Sequence, residues 1–304
     1  MLHPPPEEVS GARRRNTAEL MMLVTITIWA GNYPLSKYGL TGLPPNVFNG
    51  IRFLVASLFL SLLFLRNVRW RPMPVADRNG LLAVGFLGNV VYQAGFMIAL
   101  SLTTAGNTSV LVSTSPLWTT LVEARMEHRR VSRDTIAGMS VSLAGIVLII
   151  AASKDGVDIG GTALYGNVLC LVLAMLSGYV TNLQRRYLLR YHPFQVTMVI
   201  TAVGTIGLTL LALPEALYLD WRTVHHPFIA VAIGSGLLSV AVAGILWSYG
   251  IDRLGAGKAA NYNNLVPVAV FVASYFILGE EVTTWQCIGA AVTIGGVWYV
   301  RRTE

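Results

Sequence analysis

Residues 104–150 read TAGNTSVLVSTSPLWTTLVEARMEHRRVSRDTIAGMSVSLAGIVLII, and residues 255–301 read GAGKAANYNNLVPVAVFVASYFILGEEVTTWQCIGAAVTIGGVWYVR. Aligned without a gap at a spacing of 151 residues, the two stretches share one proline and three glycines. The matched pairs are Pro116 with Pro267, Gly106 with Gly257, Gly138 with Gly289, and Gly145 with Gly296. Because these residue types set where a backbone turns or kinks, the matches predict the same path for both stretches, and so an internal duplication.

The composition is that of a membrane protein. Hydrophobic residues make up 54% of the 304 residues and charged residues only 12%, whereas soluble domains carry about 25% charged residues. Apolar runs of about twenty residues recur along the chain, which is the length that an α-helix needs to cross a bilayer. An all-α polytopic membrane protein is therefore predicted, with ten spans at residues 19–38, 46–65, 79–100, 104–123, 133–152, 162–182, 194–213, 228–250, 256–278 and 284–301.

Polar segments divide the chain into two halves of five spans. Residues 1–18 are polar and proline-rich, and we expect a disordered cytosolic tail there. Arg13–Arg15 before an apolar run also resemble the start of a signal peptide, but no convincing small-residue cleavage site follows. Residues 153–161 form the predicted linker between a first repeat, 19–152, and a second repeat, 162–301.

The basic residues predict the orientation. With the N-terminus inside the cell, the outer connections hold Lys37, Lys154 and Arg222, and Arg52 lies within the second span. All the other lysines and arginines lie in the tails or the inner connections, which is the positive-inside asymmetry of a protein with both termini in the cytoplasm. This distribution also accounts for the net charge of +7 without a nucleic-acid partner.

The two halves are predicted to be inverted relative to one another. An odd number of spans per half makes homologous halves cross the membrane in opposite directions. Equivalent connections then lie on opposite sides and should differ in charge. Arg129 and Arg130 do align with Glu280 and Glu281. The repeat and the charge pattern therefore agree on an inverted repeat.

Two motifs in the second half carry a resemblance to a known family. The segments AGKAANYNNLVPV (256–268) and ILGEEVTTWQCIGAAVTIGGV (277–297), together with the two-times-five layout, resemble the EamA family of the drug/metabolite transporter superfamily. The first half departs from the family pattern at Arg129, where the family has an acidic residue. The resemblance covers roughly residues 20–301 and implies export of small metabolites, often amino acids or amphipathic compounds, from the cytoplasm.

The prolines mark the first candidate for a transport site. Pro116 and Pro267 lie in the middle of the fourth and ninth spans, where each removes a backbone donor and frees the carbonyl of Val112 or Asn263. Paired interrupted helices in two inverted halves are typical of transport sites, and such prolines serve as kinks or gates. A plain packing kink is the alternative.

A polar cluster precedes the second of these prolines. Lys258, Asn261 and Asn264 are spaced by three and share one helix face, with Tyr262 beside them. Hydrogen bonding to a polar substrate, with Lys258 attracting an anionic group, is one interpretation. Hydrogen bonding between helices, with Lys258 extending to the inner surface, is the other. Further candidate substrate-binding residues inside spans are Asn32, Asn89, Tyr92, Gln93, Trp118, Asn182 and Trp247.

Two charged residues inside spans are candidates for an anion or proton site. Arg52 in the second span is a candidate anion site, although extension of its side chain to the outer surface is the favoured interpretation. Glu123 is a candidate proton site, although pairing with Arg125 or Arg129 at the inner rim is favoured. Gly138 with Gly145, and Gly289 with Gly296, are seven residues apart and predict close helix packing.

The leading hypothesis is a secondary transporter that works by alternating access in the cell (inner) membrane. The sequence contains neither a phosphate-binding loop nor a nucleophile elbow, so we expect no enzyme activity, no cofactor and no metal site. The alternatives are a membrane enzyme or a flippase acting on a lipid-linked intermediate, and a sensor or scaffold. The expected partners are a small-molecule substrate and membrane lipids; the oligomeric state is open and compatible with a monomer.

Overall fold

The computed structural model describes residues 6–65, 70–126, 128, 130, 132–152, 161–255, 259, 262–281 and 283–302. Within these ranges the secondary structure is helical, with no strand. The helices are α1 (Pro6–Gly39), α2 (Pro45–Phe64), α3 (Val75–Leu102), α4 (Ala105–Val112), α5 (Ser115–Met126), α6 (Arg133–Ala151), α7 (Thr162–Leu188), α8 (Pro193–Tyr218), α9 (His226–Leu254), α10 (Val266–Leu278) and α11 (Thr284–Arg302). A 3₁₀ turn, Tyr262–Leu265, leads into α10.

Five of these helices are long and apolar enough to cross a membrane, judged by length and composition. They are α2, α3, α7, α8 and α9, while Ile136–Gly145 within α6 and Val266–Leu278 are shorter apolar stretches. The all-α class is therefore confirmed, and the architecture is that of a multi-pass membrane protein.

Helix α1 begins earlier than the sequence suggests. It starts at Pro6, so residues 6–18 are helical where we expected a disordered tail. Proline is favoured in the first turn of a helix, which fits a start at Pro6.

The helix pairings come in matched sets at the repeat spacing. Helix α1 packs against α9 and α10, and its counterpart α7 packs against α3 and the α4–α5 pair. Helix α2 packs along α8, and α6 packs along α11. Similar hydrogen bonds accompany this pattern. Asn49, four residues after the first proline of α2, donates through Nδ2 to Gln93 O over 2.7 Å; Thr197, four residues after the first proline of α8, donates through Oγ1 to Gly244 O over 3.5 Å.

Glycines bring α6 and α11 into backbone contact. A Cβ added to Gly145 would lie 2.6 Å from Gly289 O, and one added to Gly296 would lie 2.6 Å from Gly138 O. The same contact is thus made twice, once from each half. The close packing predicted from the glycine spacing is present at this interface.

Both prolines lie where a helix restarts. The backbone turns at Ser113 and Thr114 between α4 and α5, and the 3₁₀ turn interrupts the ninth span before α10. Pro116 and Pro267 each occupy the second position of the helix that follows, where the missing N–H needs no partner. The interruptions predicted from the two prolines therefore occur at equivalent positions.

A second irregularity also occurs in pairs. Phe86–Val91 within α3 and Gly236–Val242 within α9 are π-helical. Shifted by 151 residues, the first segment falls on the last six residues of the second, and single π turns inside α-helices recur at functional sites.

Candidate functional site

A cavity of about 220 Å³ lies at the centre of the helix bundle. Helices α1, α2, α3, α7, α8 and α9 line it together with the two helix interruptions. Each π segment contributes the same two positions, Gly88 and Asn89 from α3, and Ser239 and Val240 from α9. The paired irregularities of the backbone therefore converge on one space.

Several of the side chains predicted for the site line this cavity. They are Asn32, Arg52, Asn89, Tyr92, Gln93 and Trp247. The Asn89 amide makes no hydrogen bond with the described residues, which leaves it available to a solute in the cavity. The structure thus brings together polar groups from the first, second and third spans with a tryptophan from the eighth.

Arg52 corrects one sequence-based interpretation. Its side chain is 2% exposed and points into the protein, not to the outer surface. Nε donates to Ser235 Oγ over 2.7 Å, and Nη1 donates to Asn49 Oδ1 over 2.8 Å and to Gln93 Oε1 over 3.4 Å. The Ser235 hydroxyl in turn donates to Asn32 Oδ1. Neutral acceptors on three helices hold the guanidinium inward, and this outweighs extension to the surface.

An aromatic wall lies one helical turn from this polar group. The ring centroids of Trp29 and Trp247 are 5.1 Å apart. Trp29 Nε1 donates to Ser239 O over 3.1 Å, while Asn32, three residues later on α1, accepts from Ser235. Three residues correspond to about 4.5 Å along a helix, so the guanidinium layer and the indole layer are adjacent.

The two helix interruptions contact each other at the cavity. Ser113 Oγ lies 3.2 Å from Asn263 O, the carbonyl that Pro267 frees, and 2.7 Å from Ser109 O. Asn263 also lines the cavity, and its Oδ1 is buried without a hydrogen-bond partner among the described residues. The backbone group freed by the proline is thus satisfied across the junction of the two halves, and a side-chain acceptor beside it is free.

Three predicted residues lie outside the cavity. Asn182 Nδ2 donates to Thr119 O over 2.9 Å and to Gly178 O over 3.1 Å, so this amide holds α7 against α5. Trp118 packs at the same crossing, and its Nε1 is buried without an acceptor in the described part of the chain. Tyr262 packs against the apolar core. The geometry gives these side chains packing contacts and no place in the cavity wall.

Glu123 pairs with a different arginine from those predicted. Its Oε1 lies 3.0 Å from Arg185 Nη1, because α5 packs along α7, and the pair is partly exposed. A rim ion pair is therefore present with Arg185; no ion pair with Arg125 occurs among the described residues, and Arg129 lies outside them. Nearby, the Tyr191 hydroxyl donates to Asp77 Oδ2 over 2.6 Å, and this hydrogen bond raises the pKa of Tyr191.

Part of the predicted polar cluster of the ninth span cannot be placed. Lys258 and Asn261 lie outside the described residues, as does the side chain of Asn264. Asn263, which the sequence analysis named only for its freed carbonyl, lies in the same segment and lines the cavity. Its carbonyl is the group freed by Pro267, and this was the signal in the sequence that pointed to it.

Three further residues were missed: Ser239, which lines the cavity, and Ser235 and Asn49, which bond the Arg52 side chain from outside the cavity wall. Ser235 and Asn49 hold Arg52, and Ser239 accepts from Trp29. The spacing of 151 residues could have found Ser239, since it corresponds to Gly88 beside the predicted Asn89. Among the described residues that line the cavity, Arg52 is the one with a charged side chain, and no cluster suited to a metal ion occurs in the same ranges.

Comparison with known proteins covers both halves of the chain. The EamA-like transporter family matches residues 16–151 and 164–302. An "Uncharacterized transporter" of Archaeoglobus fulgidus is 29% identical over 92% of this chain and 95% of its own length. A "Probable terminal-alkyne amino-acid exporter" of Streptantibioticus cattleyicolor is 27% identical over 92% of both chains. A solved crystal structure shares the fold, with a TM-score of 0.68 and 19% identity over 95% of this chain and 99% of the other.

Proposed function

Because the chain belongs to the EamA-like transporter family and is a membrane transporter, we propose that it exports small metabolites, either amino acids or amphipathic compounds. It acts as a secondary transporter by alternating access in the cell membrane. The observation that carries the proposal is the central cavity, where the two helix interruptions and the two π segments meet. Irregular backbone at membrane depth is tolerated where it lines a cavity, and paired irregularities are typical of transport sites.

The proposed topology has ten spans in two inverted repeats, 19–152 and 162–301, with both termini in the cytoplasm. The matched helix pairings, the similar hydrogen bonds and the reciprocal glycine contacts of α6 and α11 support it. The cavity lies within a single chain, which supports function as a monomer. A related protein named as an amino-acid exporter supports the choice of substrate class.

Transport by the purified protein tests the proposal. The full chain is reconstituted into liposomes, and efflux of labelled amino acids and amphipathic metabolites is followed under sodium, proton and solute gradients. We expect saturable movement of some members of the panel, lowered several-fold by Trp247→Ala, which removes half of the aromatic wall. Tyr275→Ala on the exposed surface of α10 is the matched control. If no solute moves under any gradient, the proposal fails.

A further inference from the structure

Arg52 carries a charge that is buried inside the protein. A guanidinium that is 2% exposed has lost nearly all its contact with bulk water. Its hydrogen-bond acceptors are the neutral oxygens of Ser235, Asn49 and Gln93, and no described carboxylate pairs with it. A buried charge without a counter-ion is costly, and in membrane proteins such a residue marks a functional site.

The guanidinium still has donors to offer to the cavity. Nη2 makes no hydrogen bond with the described residues, and the contact from Nη1 to Gln93 Oε1 is long, at 3.4 Å. A planar ligand with two acceptor oxygens can accept from Nη2 and replace Gln93 at Nη1. A carboxylate has this geometry and also supplies the missing negative charge.

The rest of the ligand is defined by what surrounds the guanidinium. The Trp29–Trp247 pair lies one turn away and presents flat apolar surface. No Asp or Glu lies among the described residues that line the cavity, so those residues offer no ionic partner to an ammonium group. A carboxylate at Arg52 with its carbon skeleton against the indoles therefore fits, and an amine is not required.

We propose that Arg52 binds the carboxylate of the transported solute while the Trp29–Trp247 pair holds its apolar part. The substrate class is then organic carboxylates with an apolar group, of which apolar amino acids are one case. This assignment rests on the proposed transport function and narrows it. Binding and transport are measured in separate assays, so that the carboxylate site and the transport function can be contradicted independently.

The test compares ligands of similar size that differ in the carboxylate or in an added amine. Affinities of 3-phenylpropanoate, its neutral amide 3-phenylpropanamide, and L-phenylalanine are measured on the purified full chain by isothermal titration calorimetry at constant ionic strength. We expect the carboxylate to bind at least tenfold more tightly than the amide, and L-phenylalanine to keep most of that affinity. Equal binding of carboxylate and amide by the unaltered protein, or binding of neither, would overturn the proposal.

Variants separate recognition from a structural role of the same arginine. Arg52→Gln should bring the ratio of the two affinities to about one. Arg52→Lys should lower that ratio several-fold without abolishing it, because an ammonium keeps the charge but loses the two-pronged hydrogen bond of a guanidinium. Trp247→Ala should weaken both ligands by a similar factor. The control is Arg185→Gln, which removes an arginine at the rim and should leave the ratio unchanged. If Arg52 is only structural, its variants lower the melting temperature while the ratio in Arg52→Lys, or in Arg52→Gln if it folds, stays at the value of the unaltered protein.

Transport completes the separation. Selective carboxylate binding without movement of any solute in liposomes would contradict the transport function and leave the binding site standing. Movement of neutral and cationic solutes, with no preference for the carboxylate in either assay, would contradict the role of Arg52 and leave transport standing.

Discussion

The two halves of the molecule share a backbone and differ in the chemistry placed on it. Helices α2 and α8 both begin with a proline, and the seventh residue after it is Arg52 in α2 and Ile200 in α8. Both side chains line the cavity. The duplication therefore supplies a symmetric container, while among the described lining residues the one charged side chain lies on one side. We infer that architecture and specificity are separable in this fold.

The largest effect on stability is expected at the contact of α6 with α11, which each half makes through its own glycine. Gly145→Val and Gly296→Val should each lower the free energy of unfolding by about 3 kcal/mol or more, because either side chain would collide with the backbone of the opposite helix. Thermal unfolding followed by tryptophan fluorescence measures the loss. Gly295→Val is the matched control, since a Cβ at Gly295 meets open space. A large loss in only one of the two variants would break the equivalence of the halves.

The next effect concerns the two interruptions. Pro116→Ala and Pro267→Ala restore a backbone N–H that can bond to the carbonyl four residues earlier and continue the helix. Both variants should fold and transport several-fold more slowly, as measured by solute efflux from liposomes. Pro214→Ala, within α8 and away from any interruption, is the control. Unchanged transport rates in both variants would show that the prolines serve only to kink the helices for packing.

A smaller effect is expected at the contact between α2 and α8. The hydroxyls of Ser57 and Thr205 lie 2.6 Å apart. Ser57→Ala and Thr205→Val should each cost about 0.6 kcal/mol, the typical value for such bonds in membrane proteins. The double variant should cost less than the sum of the two, since both remove the same bond. Strict additivity in reversible unfolding in detergent would show that the pair is not coupled.

The smallest effect is expected at the rim. Glu123→Gln removes one charge of a partly exposed pair with Arg185, and such pairs contribute about 0–1 kcal/mol. We expect a change below about 0.5 kcal/mol in stability and no change in the pH dependence of transport. If the pH dependence of transport is lost or shifted in this variant, Glu123 carries a proton. The transport pathway would then contain a second charged residue, besides Arg52, that is present in one half.

The backbone plan was largely readable from the sequence. Proline and glycine act through local geometry, so the interruptions at Pro116 and Pro267 and the close packing at the glycine faces followed from spacing; that Gly145 lies against Gly289 was not predicted. The α-helical class followed from the recurring apolar runs of about twenty residues. The π segments were not predicted, because an extra residue in a helical turn leaves no characteristic residue type behind.

Side-chain directions were less readable. The position of Arg52 along α2 was evident, but nearly the whole helix is apolar and nothing in the sequence fixed its rotation about its own axis. Of the partners that turn Arg52 inward, Asn49 lies three residues earlier on the same helix face, a spacing that could have been used, whereas Ser235 is distant in sequence. Glu123 shows the same limit, since its partner Arg185 is distant in sequence and near only because α5 packs on α7.

The junction of the two interruptions has a consequence for how the molecule can open. The Ser113 hydroxyl has one proton and two acceptors, Ser109 O at 2.7 Å within its own half and Asn263 O at 3.2 Å in the other half. If the halves part, the proton stays with Ser109, and a water or solute in the widening gap can donate to Asn263. No polar group is then left without a hydrogen bond. The contact between the two interruptions can therefore open and close at little cost in hydrogen bonding.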